Sequence, residues 1–127
     1  MPDANKVISA APPDFTNATK KAGAHHAVLA GFLGWTGYIP HSVSKAGVSM
    51  LTRLLAKALA PEIRVNAIAP GTITMPGDPP DLAADFIKRA PLHRTGTTED
   101  VTAAISFLIN SPFITGEVLM LDGGRTL

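Results

Sequence analysis

The sequence predicts an α/β fold built on a short parallel sheet flanked by helices. Residues 63–69 alternate, with Ile63, Val65, Ala67 and Ala69 on one side and Arg64, Asn66 and Ile68 on the other, and end at Pro70-Gly71, the pattern of a strand closed by a turn. Residues 117–121 are nearly all apolar and end at Asp122-Gly123-Gly124, as expected of a strand covered on both faces. Between these two runs Val101, Ala104, Ile105 and Leu108 recur at helical spacing. Strands joined through a helix pair in parallel by a right-handed crossover.

The remaining elements follow in chain order. Residues 1–26 are polar, are broken by Pro2, Pro12 and Pro13, and are expected to be weakly ordered, with a strand able to begin only at residues 7–10. The ordered domain is expected over residues 27–127. Its first run, Ala27-Val28-Leu29-Ala30, reads as a strand that leads into a loop spaced by Gly31, Gly34 and Gly37. Pro40 suits the first turn of a helix, and Val43, Gly47, Met50, Leu51, Leu54, Leu55 and Ala58 continue it as an apolar stripe to Pro61. That stripe is expected to face the core, with Ser42, Ser49, Thr52, Arg53 and Lys57 on the other side. Leu82, Phe86 and Ile87 mark a short helix over residues 81–89. Thr97 and Asp100 have the spacing of a capping box, which starts the helix through Leu108. Three strands make a narrow sheet with open edges, and a second copy of the chain is the simplest cover.

Composition bounds the chemistry. The chain has 127 residues, the size of one domain, with 46% apolar and 17% charged residues, a balance that buries a core and disfavours disorder. Eleven Lys and Arg oppose 10 Asp and Glu for a net charge of +1, without a basic run, so neither nucleic acid nor an anionic membrane surface is an expected partner. The absence of cysteine excludes disulfides, thiolate metal sites and cysteine nucleophiles. No stretch reaches the roughly 18 apolar residues of a membrane span, and a cytoplasmic location is expected. No metal site is expected either, since the neighbours His25 and His26 would point to opposite faces of a strand.

Four segments in order carry a resemblance: HSVSKAG (41–47), IRVNAIAPGTITMP (63–76), PLHRTGTTEDVTAAISFL (91–108) and FITGEVLMLDGG (113–124). With the loop from Gly31, they resemble the C-terminal half of the short-chain dehydrogenase/reductase family. The resemblance implies a partial, Rossmann-like three-layer fold, an NAD(P) cofactor and reversible carbonyl reduction by hydride transfer on a small-molecule substrate. It implies too that the outer surface of the helix after Pro40 packs on its counterpart in a second subunit, giving a homo-oligomer, dimer or tetramer.

By that resemblance Lys45 matches the lysine that binds the nicotinamide ribose, and Pro70, Gly71, Ile73 and Thr74 match the stretch that closes over the nicotinamide. The backbone near Ile73 would meet the carboxamide, and Thr74 the carboxamide or a phosphate. His41 stands where the family has its catalytic tyrosine, and Val28 where it has the serine that holds the substrate oxygen. Neutral imidazole accepts a proton, whereas carbonyl reduction needs a donor, so His41 favours alcohol oxidation or reduction at acidic pH. The single tyrosine, Tyr38, stands seven residues before Lys45, about 10 Å along a helix, and is expected to pack beside Trp35. Ser42 and Ser44 lie outside a G-x-S-x-G elbow, which argues against hydrolysis. No strand is followed by G-x-x-x-G-x-G, so the pyrophosphate cradle is missing from the sequence, and nothing selects NAD over NADP. An oxidoreductase with reduced or altered activity is thus weighed against a non-catalytic oligomerising or binding module of the same descent.

Overall fold

The computed structural model describes residues 5–7, 29–81 and 83–127. Strand β2 (Arg64–Pro70) lies between β1 (Asn5–Val7) and β3 (Val118–Leu121), and all three run parallel. β1 pairs with the first half of β2, Asn5 opposite Arg64, and β3 with the second half, Ala67 opposite Val118. Its central place explains why residues 65–69 are all buried. The helices are α1 (Leu29–Leu33), α2 (Ile39–Leu59), α3 (Ala84–Arg89) and α4 (Thr98–Asn110), with a tight turn at Thr36–Tyr38 before α2. Ile68, Leu119 and Leu121 pack with Ala104 and Leu108 of α4, whereas Met120, like Leu33, packs against Phe86 and Ala90. The alternation along β3 therefore divides the core into two layers, one on each face of the sheet.

The fold class and three elements match their sequence patterns: β2, α4 with both bonds of its capping box, and α2. Other expectations are corrected. Leu29 and Ala30 are helical, because an apolar run of four residues has no period to separate strand from helix. Packing decides: a Cβ on Gly31 would lie 2.6 Å from the Ala46 amide nitrogen, so α1 rests directly on the backbone of α2. Gly34, at φ 63°, then ends α1 and donates to the Ala30 carbonyl at 3.1 Å. β3 is half-buried throughout rather than enclosed, since β2 and not β3 holds the centre. The helix at 81–89 begins only at Ala84.

The largest correction concerns the faces of α2. Val43, Met50, Leu51 and Leu54 are exposed, while Lys45, Thr52 and Ala56 are buried. The inward polar residues tolerate burial because they bond to their own helix: Thr52 Oγ1 donates to the Val48 carbonyl (2.9 Å) and Ser49 Oγ to that of Lys45 (3.4 Å). Small side chains also let the sheet come close, as at Gly116, whose added Cβ would meet Ala56 at 3.4 Å.

One cation fastens the crossover. Arg64 donates through Nη1 to the carbonyls of Leu108 (3.0 Å), Ser111 (3.0 Å) and Ile114 (2.9 Å), and through Nη2 to that of Ile109 (2.9 Å). These include carbonyls at the end of α4, which lack helical partners and carry the negative end of the dipole. Asn66 continues the link, donating to Ile114 O (3.0 Å) and accepting from the Glu117 amide (3.0 Å). We expect Arg64→Met to cost about 3 kcal/mol, because the Leu108 and Ile109 carbonyls lose their donor at once. Urea unfolding followed by circular dichroism measures it, and a loss under about 1 kcal/mol would contradict the assignment.

The other end of α4 is capped by charge. Asp100 accepts from Arg94 Nη1 (2.7 Å), Arg94 Nη2 (3.1 Å) and the Thr97 amide (2.9 Å). The Arg94 hydrogen bond, then the Thr97 amide, hold its carboxyl at about 2, below the ordinary 3.8. A carboxyl depressed on folding stabilises the fold above its unfolded pKa and loses that contribution as pH falls through the folded value. The acid-sensitive window is thus pH 4 to 2. In Asp100→Asn, stability is expected to fall less between pH 5 and pH 2 than in the wild type, and parallel falls would refute the linkage.

Candidate active site

α2 and β2 share the short connection near residues 60–63 and run in opposite directions. Lys45 is about 22 Å up α2 from that connection, and Pro70 about 23 Å up β2 from it. The first turns of α2 therefore stand level with the loop leaving β2, at the carboxyl end of the parallel strands, where α/β sheets bind ligands. The sequence placed His41, Lys45, Pro70, Gly71, Ile73 and Thr74 in one site, and the topology brings their two segments to one end of the sheet.

On α2, Lys45 is 6% exposed, and burial pushes its amine below the ordinary lysine value. His41, one turn earlier, is half-buried. Its carbonyl accepts from Ser44 Oγ (2.8 Å), so that serine bonds to its own helix. Ser42 Oγ, one turn from Lys45 on the inward side, is buried and bonds to nothing among the described residues. Such orphaned hydroxyls are uncommon. Tyr38 lies outside this cluster, half-exposed and edge-on to Trp35 with ring centroids 6.5 Å apart. Val28 and the His25-His26 pair lie outside the described residues. Among the described residues, no three His, Cys, Asp or Glu side chains cluster as metal ligands.

The loop after β2 is fixed from two sides. Gly71 donates to the Leu121 carbonyl at 3.0 Å, and a Cβ there would meet the Phe86 ring at 2.8 Å and Asp122 Cα at 3.0 Å, so only glycine fits. Asp122 sets the end of β3, accepting from the Gly124 amide (2.9 Å), the Thr126 amide (2.8 Å) and Thr126 Oγ1 (2.8 Å). On the other side Ile73 forms a parallel bridge with Gly96, made by Gly96 N to Thr72 O (2.9 Å) and Thr74 N to Gly96 O (3.1 Å). A parallel bridge uses the groups flanking its central residue. The N–H and C=O of Ile73 therefore point to the opposite edge, and no backbone bond to them occurs among the described residues.

The resemblance assigns these groups to one half of a nicotinamide dinucleotide, and their chemistry can be compared with what that half needs. An N–H beside a C=O, neither bonded to backbone among the described residues, is the donor and acceptor pair that a carboxamide needs. Lys45 Nζ and the Ser42 and Thr74 hydroxyls supply donors for hydroxyl or carbonyl oxygens. For the pyrophosphate the chain offers no glycine-rich turn. Sequence reading missed Ser42 as a buried group, as well as Thr95 and Asp122, which support the loop. The apolar stripe set Ser42 on the solvent side, and Thr95 is 21 residues from the Thr74 that it touches.

Comparison with known proteins gives the family. A family profile described as enoyl-(acyl carrier protein) reductase matches residues 7–126. Human 3-oxoacyl-(acyl-carrier-protein) reductase is 42% identical over 101 residues, covering 78% of this chain and 42% of the relative. A Leptospira borgpetersenii short-chain dehydrogenase with bound NAD+ superposes with a TM-score of 0.62 at 37% identity, over 68% of this chain and 35% of that one. An alternative dihydrofolate reductase, FolM, from Brucella canis, complexed with NADP, gives 0.61 at 34% identity over the same shares. The chain thus spans about two-fifths of the length of these relatives. No helix among the described residues is long and apolar enough to cross a membrane. In its motifs, its parallel sheet and its matched residues, this chain belongs to the short-chain dehydrogenase/reductase family.

Proposed function

We propose that this chain provides the nicotinamide and substrate side of an NAD(P)-dependent oxidoreductase acting on a small carbonyl or alcohol. The observation that carries the reading is the turned-out N–H and C=O of Ile73, held by the bridge to Gly96 at the carboxyl end of the sheet. When bound, the nicotinamide supplies or takes up the hydride. The Ile73 backbone orients the carboxamide, the Thr74 hydroxyl donates to the carboxamide or a phosphate, and the Lys45 ammonium donates to ribose hydroxyls. His41 handles the substrate proton: its ring accepts the proton during alcohol oxidation and would have to donate one during carbonyl reduction. Ser42 is the nearest hydroxyl on α2 for a substrate oxygen. The sequence has no glycine-rich turn to cradle the pyrophosphate.

Titration of the purified chain with NADH and NADPH, followed by nicotinamide fluorescence, tests the reading. Binding in the micromolar range is expected, and none up to millimolar concentration would refute it. With saturating cofactor, His41→Tyr should raise carbonyl reduction at neutral pH by about tenfold or more, and an unchanged rate would remove His41 from the proton path.

A second reading, an assembly module that need not be catalytic, is favoured by the outer face of α2. Ile39 is 61% exposed, Val43 65%, Met50 53% and Leu54 56%, and a Cβ on Gly47 would meet nothing within 4 Å. A stripe of this kind along one helix is an association surface, and we assign it to a second copy of the chain. Light scattering is expected to give a dimer or tetramer that Leu54→Glu dissociates to a folded monomer. A monomeric wild type would contradict this.

A further inference from the structure

We propose that Thr95 is a positioning residue for the cofactor loop, holding the Thr74 hydroxyl so that its proton is free for the ligand; this rests on the oxidoreductase reading above. The two hydroxyl oxygens, 21 residues apart in sequence, are 2.9 Å apart with either able to donate, and Thr74 Oγ1 makes only a long bond to the Gly96 carbonyl, 3.5 Å, as donor. A hydroxyl has one proton to donate and two lone pairs. If Thr95 donates to Thr74, the Thr74 proton remains for an acceptor oxygen of the nicotinamide half. Without Thr95, the nearest acceptor left to Thr74 is Gly96 O, and the proton turns inward.

The surroundings keep Thr95 in register for this. Its carbonyl accepts from Arg94 Nη1 at 2.9 Å, and the same guanidinium binds Asp100. Its neighbour Gly96 is bridged to Ile73, and a Cβ on Gly96 would stand 2.5 Å from Ile73 Cδ1, so the two segments are in direct contact. Thr97 starts the capped helix α4. The Thr95 side chain is thus carried by backbone fixed on both sides and bonded to the loop that it serves.

The test compares wild type, Thr95→Val, Thr95→Ser, Thr74→Val and the Thr74→Val/Thr95→Val double variant by NADH fluorescence titration, with thermal melting of the free proteins alongside. Thr95→Val is expected to weaken NADH binding about three- to tenfold, with Thr95→Ser within twofold of wild type. In the Thr74→Val background the second change should have no further effect, because Thr95 acts only through Thr74. Equal affinity for wild type and Thr95→Val, loss in Thr95→Ser as large as in Thr95→Val, or additive losses in the double variant would each overturn the proposal. So would a loss of affinity that only follows a lowered melting temperature. A wild type that binds no NADH would overturn the oxidoreductase reading and this proposal with it, an outcome distinct from binding that is indifferent to Thr95.

Discussion

The guanidinium of Arg64 is the interaction on which the rest of the structure depends. Four carbonyls from the end of α4 and the turn after it converge on its two terminal nitrogens. Without that cation the Leu108 and Ile109 carbonyls at the end of α4 would lose their donor, a costly arrangement, while the Ser111 carbonyl would keep the Ile114 amide and the Ile114 carbonyl would keep Asn66. Arg64 is also the first residue of β2, so the contact sets the crossover from α4 against the central strand. Asn66, Val65 and Gly116 extend the register, the last through a 2.7 Å bond from the Gly116 amide to the Val65 carbonyl. Once β3 is aligned in this way, its far end at Leu121 lies where it can accept from Gly71.

The candidate site inherits its geometry from that alignment. Gly71 is pinned between Phe86 and Asp122, and the residues after it are pinned again by Gly96. Among the described residues, the N–H and C=O of Ile73 are left without a backbone partner. The capped N-terminus of α4 matters to the site for the same reason: Arg94 and Asp100 fix the segment that carries Thr95 and Gly96. A loop held this way has little freedom to lose on binding, which favours affinity through preorganisation.

Much of this was legible in the sequence, for local reasons. The alternation at 63–69 and the Thr97 and Asp100 pair each encode their element within a few residues, and the segment order HSVSKAG to LDGG carried the family. The inversion of α2 was not legible. Its inward hydroxyls bond to carbonyls one turn back, which removes the cost that polarity would otherwise signal, and its apolar stripe is turned away from the sheet. The helical state of Leu29 and Ala30 depends on contact with α2, made across the missing Cβ of Gly31. Thr95 is the sharpest case, because its partner is set by a bridge between distant segments and no spacing rule connects them.

On the proposed function, the loop held between β3 and Gly96 takes the nicotinamide half of the dinucleotide, and the sequence has no glycine-rich turn for the pyrophosphate. Amide NMR spectra of the chain, titrated separately with reduced nicotinamide mononucleotide and with ADP-ribose, test it most directly. The account predicts that the Ile73 and Thr74 amides shift with the mononucleotide and that ADP-ribose at the same concentration leaves the spectrum unchanged. Shifts produced by ADP-ribose, or a mononucleotide response that spares Ile73 and Thr74, would contradict it.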